Sequence, residues 1–338
     1  MLPAVFLDWS NSAPTVEGTH NGHHLGQPKR EQACWNQHFR LHGRLAGDDT
    51  IEAGAGRDLI LAGEGNDTVS AGDGDDTVDG GSGSDVIDGG VGRDVLFGGA
   101  GADAVNGGAD DDTIVGGSGA DRLDGGDGVD TVIYLTSSAA VKVDLAAGTG
   151  VGGDAAGDQL SLIENVTGSI FSDLLVGNDQ DNHLVGAFGS DALAGGAGND
   201  VLDGGHGADV ISDGSGADFI DSSSGKDSIN LANDATTDRI DLNPGCGGDT
   251  ITGFDTSAVP GSGDLLDISD LIDYADPTPS LAEAIADGFV NFAGGANVAV
   301  QVDGDGLLNG SSFTTIAILT GVAQATAATD LADNIVLA

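Results

Sequence analysis

From Arg44 onward the chain carries one apolar position in a fixed place every nine residues. In the unit Gly80-Gly81-Ser82-Gly83-Ser84-Asp85-Val86-Ile87-Asp88 the eighth residue is aliphatic, and the next unit repeats the form over Gly89 to Phe97. Eighth positions run Ile51, Ile60, Val69, Val78, Ile87, Leu96, Val105, Ile114, Leu123 and Val132, ten of ten aliphatic. Sixth positions run Asp49, Asp58, Asp67, Asp76, Asp85, Asp94, Asp103, Asp112, Asp121 and Asp130, again ten of ten. Fourth positions are Gly in nine of the ten, with Asp110 the exception. An inward aliphatic with outward neighbours is the period of a strand, and a fixed repeat is the signature of a solenoid. Each unit is therefore expected to be a glycine-rich turn followed by a strand of about three residues.

A second array follows a gap. Its sixth positions are Asp173, Asn182, Asp191, Asp200, Asp209, Asp218 and Asp227, and its eighth are Leu175, Leu184, Leu193, Leu202, Ile211, Ile220 and Ile229. Phe171 and Gln180 stand where the fourth-position glycine belongs, which predicts structural rungs with weak or absent metal sites. The gap holds the alternating run Val141 to Leu145 and the apolar residues Leu160, Leu162, Ile163 and Val166, which predicts wider rungs of the same solenoid. After Asp227 the period decays. Strands are expected at Arg239–Leu242, Thr250–Phe254, Leu265–Ile268, Val298–Val302, Thr314–Leu319 and Ile335–Leu337, with a helix around Ser280 to Ala286 behind Pro277 and Pro279. The expected divisions are 1–43, disordered or non-native; 44–133, a first β-roll array; 134–167, wider rungs; 168–234, a second array; and 235–338, a small, separate, mostly β C-terminal domain.

Two nine-residue units make one coil of eighteen residues, so turn n stacks on turn n+2, about 4.8 Å away. Asp49, Asp67, Asp85, Asp103 and Asp121 then line one edge; Asp58, Asp76, Asp94, Asp112 and Asp130 line the other. Charges at ~5 Å repel by about 0.8 kcal/mol in water, and by several-fold more at an effective dielectric near 20. A hard dication with six to eight oxygen ligands at about 2.3–2.6 Å removes that repulsion. Carboxylates and the carbonyls of glycine turns supply such oxygens, whereas zinc wants N and S donors and magnesium a tighter octahedron. The candidate Ca²⁺ ligands are these ten aspartates with Asp191, Asp200, Asp209, Asp218 and Asp227. Local Asx hydrogen bonding at turns is the bland alternative, and it does not explain columns kept in register.

Composition agrees. Of 338 residues 59 are Gly, and the formal charge is −45. Six of the 55 acids are Glu, leaving 49 Asp, a bias toward turns over helix. An acidic disordered chain would lack the regular apolar positions. The charge disfavours nucleic acid. No apolar run reaches the ~18 residues of a membrane span, and Met1 to Ser10 makes a poor secretory leader. Cys34 and Cys246 fit no disulfide framework. Residues 1–43 hold five of the seven His, a weak candidate for a His metal site. Val302-Asp303-Gly304-Asp305-Gly306 suggests an EF-hand loop, but its twelfth position is Thr314 and a hairpin turn fits better.

The repeat G-G-x-G-x-D-x-U-x resembles that of RTX, hemolysin-type calcium-binding proteins, over residues 44–338. Ile163 to Ser169 is similar to a stretch that recurs between RTX arrays. Gly248 to Asp255, Gly263 to Leu271, and Val302 to Gly306 with the strand ending Leu319 to Val322 resemble the C-terminal target domain of type I secreted proteins. The resemblance implies an all-β, right-handed parallel β-roll. It also implies export through type I secretion machinery by an uncleaved C-terminal signal, and folding outside the cell on binding roughly a dozen Ca²⁺ ions. No HExxH, GxSxG or nucleophile pair is present, so a non-enzymatic role is expected: a structural or adhesin-like surface or matrix component, with a cell-surface or polysaccharide ligand. The alternative is the C-terminal portion of a larger RTX hydrolase, protease or lipase, whose catalytic domain lies upstream.

Overall fold

The computed structural model describes residues 32–34, 41–42, 45–234, 236–243, 247–255, 263–267, 290–294, 297–303, 313–320 and 335–336. The expected helix at 280–286, His20, His23, His24, His38 and Cys246 lie outside the described residues, as do residues 304–312 of the EF-hand-like stretch.

The chain is an all-β parallel solenoid of about 11 turns. Strand Thr77–Ser82 pairs in parallel with Val95–Ala100, Val78 opposite Leu96 and Gly81 opposite Gly99. The neighbouring unit Val86–Val91 pairs instead with Ala104–Ala109, Ile87 opposite Val105. Residue i thus meets residue i+18, and alternate units feed two facing sheets of 17 and 14 strands. The eighth-position aliphatics of both sheets point inward and are almost fully buried, with Ile60, Val78, Leu96 and Ile114 at 0% exposure. Each coil buries only two such side chains, so the core is one continuous stack that no single repeat could form alone.

The nine strands of the first array from Thr50–Ala55 to Arg122–Asp127 are six residues long, not three. They run on through positions nine, one, two and three because these glycines also pair coil to coil, Gly63 opposite Gly81 for example. Burial alternates along each strand, so positions six, eight and one face inward.

Two corrections concern the ends. The segment before Arg44 is not wholly outside the solenoid: Gln32–Cys34 pairs with Thr50–Glu52, and Leu41–His42 with Leu59–Ile60. Parallel pairing needs only backbone groups, so it continues where the sixth positions hold Glu31 and Arg40 and the side-chain signature is lost. The C-terminal region is likewise not separate. Asp249–Thr252 pairs with the strand Ser228–Asn230, Leu265–Asp267 with Arg239–Asp241, and Phe313–Thr320 with Asp249–Thr252, all parallel. The same sheet then takes an antiparallel meander of Val290–Gly294, Asn297–Asp303 and Phe313–Thr320. Between the arrays, Lys142–Asp144 and Thr149–Val151 form an antiparallel pair inserted into the first sheet. Among the described residues no helix is long and apolar enough to cross a membrane.

Candidate metal sites

Each sixth-position Asp stands where the turn enters a strand. Asp49, Asp58, Asp67, Asp76, Asp85, Asp94, Asp103, Asp112, Asp121, Asp130, Asp191, Asp200, Asp209, Asp218 and Asp227 are all buried, none more than 5% exposed. They do not simply line solvent-facing edges. One carboxylate oxygen is occupied: the Asp67 amide donates to Asp85 Oδ1 at 2.7 Å, and the Asp85 amide to Asp103 Oδ1 at 2.8 Å. On the other edge the Asp76 amide donates to Asp94 Oδ1 at 2.7 Å and the Asp94 amide to Asp112 Oδ1 at 2.8 Å. These bonds span eighteen residues, so they tie successive coils together and are not local Asx turns.

The second oxygen has no such partner. Oδ2 of Asp58, Asp67, Asp76, Asp85, Asp94, Asp103, Asp112, Asp121, Asp130, Asp191, Asp200, Asp209, Asp218 and Asp227 is buried without a hydrogen-bond donor. The first-position glycine shows what surrounds it. A Cβ added to Gly89 would meet Asp94 Oδ2 at 2.4 Å and the Gly107 carbonyl oxygen at 2.5 Å. The equivalent point at Gly107 meets Asp112 Oδ2 at 2.3 Å and the Gly125 carbonyl at 2.4 Å. A carboxylate oxygen from one coil and a carbonyl oxygen from the next thus face the same space with no hydrogen between them. Buried acceptors without a donor cost about 1–3 kcal/mol each, more when charged. Burial is the main reason that the Asp94 and Asp191 carboxyls are pushed up to about 7, and Asp76, Asp103, Asp112, Asp200, Asp209 and Asp218 to about 6, with carboxylates of adjacent coils adding to the effect. An all-oxygen, anionic, donor-free lining fits a hard divalent cation.

Three coils solve the same problem with protein donors. The buried Tyr134 hydroxyl donates to Asp158 Oδ2 at 2.9 Å. The Ser169 amide donates to Asp173 Oδ2 at 2.5 Å and its hydroxyl to Oδ1 at 2.8 Å. Asn182 carries its own donor, which reaches the Glu164 carbonyl at 2.9 Å. Asp173 and Asn182 belong to the two units of the second array that lack a fourth-position glycine.

Several members of the columns escaped the sequence reading. Asp158 Oδ1 accepts from the Asp121 amide, Glu164 Oε2 from Asp130, Asp238 Oδ1 from Asp218, and Asp249 Oδ1 from Asp227, all at 2.8–3.0 Å. Asp264 Oδ1 accepts from the Asp238 amide at 3.3 Å. A spacing of nine could not find them, since the loops between are longer. The signal that could is the triplet acid-x-aliphatic: Asp158-Gln159-Leu160, Asp238-Arg239-Ile240, Asp249-Thr250-Ile251 and Asp264-Leu265-Leu266.

A family model described as RTX calcium-binding nonapeptide repeat (4 copies) matches residues 45–78, 70–105, 79–114, 97–132, 167–202, 195–229 and 203–237. Among solved structures, the chain is similar to the AlgE6R3 subunit of the mannuronan C5-epimerase of Azotobacter vinelandii, determined in solution. The identity is 28%, covering 49% of this chain and 80% of that one, with a TM-score of 0.27. No curated protein matches the chain.

Proposed function

Residues 45–132 and 167–237 belong to the RTX calcium-binding nonapeptide repeat family, and from that premise we propose that the protein is an extracellular scaffold whose solenoid assembles when Ca²⁺ enters its carboxylate columns. The observation that carries this reading is the run of buried Oδ2 atoms without donors, from Asp58 to Asp130 and from Asp191 to Asp227. The residues that would hold the ions are the fifteen sixth-position aspartates, Asp49 to Asp130 and Asp191 to Asp227, with backbone carbonyl oxygens of first-position residues such as Gly107 and Gly125 beside them. When bound, calcium supplies positive charge that the coil edges otherwise lack. The chain supplies the rest: amides that hold each Oδ1, aliphatic side chains that stack, and glycines that let the coils close up.

Coupling to export follows from concentration. Where calcium is scarce, as in cytosol, like-charged coils resist stacking and the chain stays extended, the form that a type I secretion channel passes. Outside the cell calcium reaches about 10⁻³ M, enough for modules with dissociation constants of about 10⁻⁴–10⁻³ M. Binding free energy is then folding free energy. The C-terminal residues 235–338 would carry the export signal. A structural or adhesin-like surface or matrix role suits a molecule whose exposed repeat positions vary while its inward ones do not; no catalytic role is proposed.

Circular dichroism of the full-length protein during a calcium titration tests the reading. Little β signal is expected in EGTA, a cooperative gain with Ca²⁺, and little gain with Mg²⁺. A fully folded solenoid in excess EGTA would overturn it.

A further inference from the structure

One unit of the second array places an acid at its first position. The three units before it begin with Gly186, Gly195 and Gly204 and the one after it with Ser222, whereas this unit begins with Asp213. The residue is 1% exposed, so a carboxylate is buried at a position where the preceding units carry no side chain. Its Oδ1 accepts from the Gly214 amide at 2.6 Å and the Ala232 amide at 2.8 Å, which fixes the head group. Its Oδ2 is buried and has no donor. Asp218, five residues on, repeats the pattern: Oδ1 takes the Asp200 amide at 2.7 Å, and Oδ2 is buried and without a donor. Asp238, one coil later and itself 2% exposed, accepts the Asp218 amide. One carboxylate oxygen from each of the three lies within 4.8 Å of the others, and among the described residues no other group of three metal-ligating side chains converges in this way.

We infer that Asp213, Asp218 and Asp238 form a three-carboxylate site for a calcium-sized divalent cation, which fills at lower free calcium than the repeated sites do. Each of the three acids brings one carboxylate oxygen within 4.8 Å of the others, two of them carry a buried oxygen without a donor, and backbone amides hold each head group. A third charged oxygen ligand strengthens attraction for a hard dication, and the number of charged ligands is one of the two features that tune such affinities, the other being site rigidity. Burial raises Asp213 to about 7 and also raises Asp238, so the competing occupant is a proton held among the acids. The inference adds Asp213 to two members of the carboxylate columns, Asp218 and Asp238, and its test turns on Asp213 alone.

Calcium bound per chain, measured by atomic emission across a series of buffered free-calcium concentrations, tests it on full-length wild type, Asp213→Gly and Asp213→Asn. Asp213→Gly gives the residue of the preceding units, and Asp213→Asn keeps the shape while removing the charge. Wild type is expected to take up one ion per chain at least tenfold below the free calcium that fills the remainder. In both variants that first step should move up and merge with the main one. Superimposable isotherms for the three chains would overturn the inference and assign the cluster to a shared proton. Should the repeats take up no calcium while a single-ion step persists and depends on Asp213, the inference stands and the reading of the repeats falls.

Discussion

Gly101 and Gly107 are both repeat glycines, yet each is required for a different reason. Gly101, at position four, has φ 145° and carries the Gly83 carbonyl oxygen 1.6 Å from where its Cβ would stand. Both the backbone conformation and a neighbouring backbone atom exclude a side chain. Gly107, at position one, has no positive φ; what excludes a Cβ is Asp112 Oδ2 at 2.3 Å and the Gly125 carbonyl at 2.4 Å. Gly101→Ala should therefore cost about 3 kcal/mol or more of stability in calcium. Gly107→Ala should cost roughly 1–3 kcal/mol, because its φ is not positive and the Asp112 side chain can swing away, which leaves the Gly125 carbonyl as the one obstruction that must shift. That swing takes an oxygen out of the proposed site, so Gly107→Ala should also raise the calcium midpoint. Thermal melts and calcium titrations of the two variants separate the effects; equal shifts in both measurements would contradict the distinction.

At the scale of the elements, the gap between the arrays shows how the solenoid does without a cation. Tyr134, just past the strand Thr131–Ile133, sends its hydroxyl inward to Asp158, which closes the turn before Gln159–Ser161. The phenol is 2% exposed, and burial and the adjacent carboxylates hold its proton on well above the ordinary value. It is thus a fixed donor across the working pH range. Tyr134→Phe should leave a buried carboxylate oxygen unsatisfied and lower stability by about 1–3 kcal/mol. Because this donor replaces an ion, the loss should appear in calcium-free and calcium-loaded protein alike wherever this coil is folded. An unchanged melting temperature would show that Asp158 finds another donor.

The whole molecule concentrates 55 acids against ten Lys and Arg, and a dozen or so bound dications would offset about half of the −45 net charge. Without them, protons are the available counter-charge. The ordinary carboxyl value is 3.8, whereas Asp76, Asp103, Asp200 and Asp209 are raised to about 6 and Asp94 and Asp191 to about 7 by burial. Between pH 4 and 7, roughly, the folded chain then binds more protons than the unfolded chain, so calcium-free stability falls as pH rises through that window. Calcium-free protein should therefore hold more β structure at pH 5 than at pH 8. With saturating calcium the order should reverse, since protons then compete with the ion for the same oxygens. Circular dichroism at the two pH values without calcium, and melts with it, give the sign directly, and a calcium-free β signal that does not change with pH would refute the assignment of buried, donor-free carboxylates.

The order of residues alone determined that Ile87 and its equivalents face inward, that nine-residue units pair into coils of eighteen, and that acids stack in two columns. These follow from local periodicity, because one strand and one turn repeat without change through each array. Folding in three dimensions decided what depends on contacts across variable loops. Backbone pairing sets the register whatever the loop length, so Asp158, Glu164, Asp238, Asp249 and Asp264 join the columns at spacings of 37, 34, 20, 22 and 26 residues. The division of labour within the carboxylates from Asp67 to Asp130 and from Asp191 to Asp227, one oxygen held by an amide a coil away and the other left for a counter-ion, also lies beyond the sequence. It arises only when two coils are stacked closely enough for an amide and a carboxylate eighteen residues apart to touch.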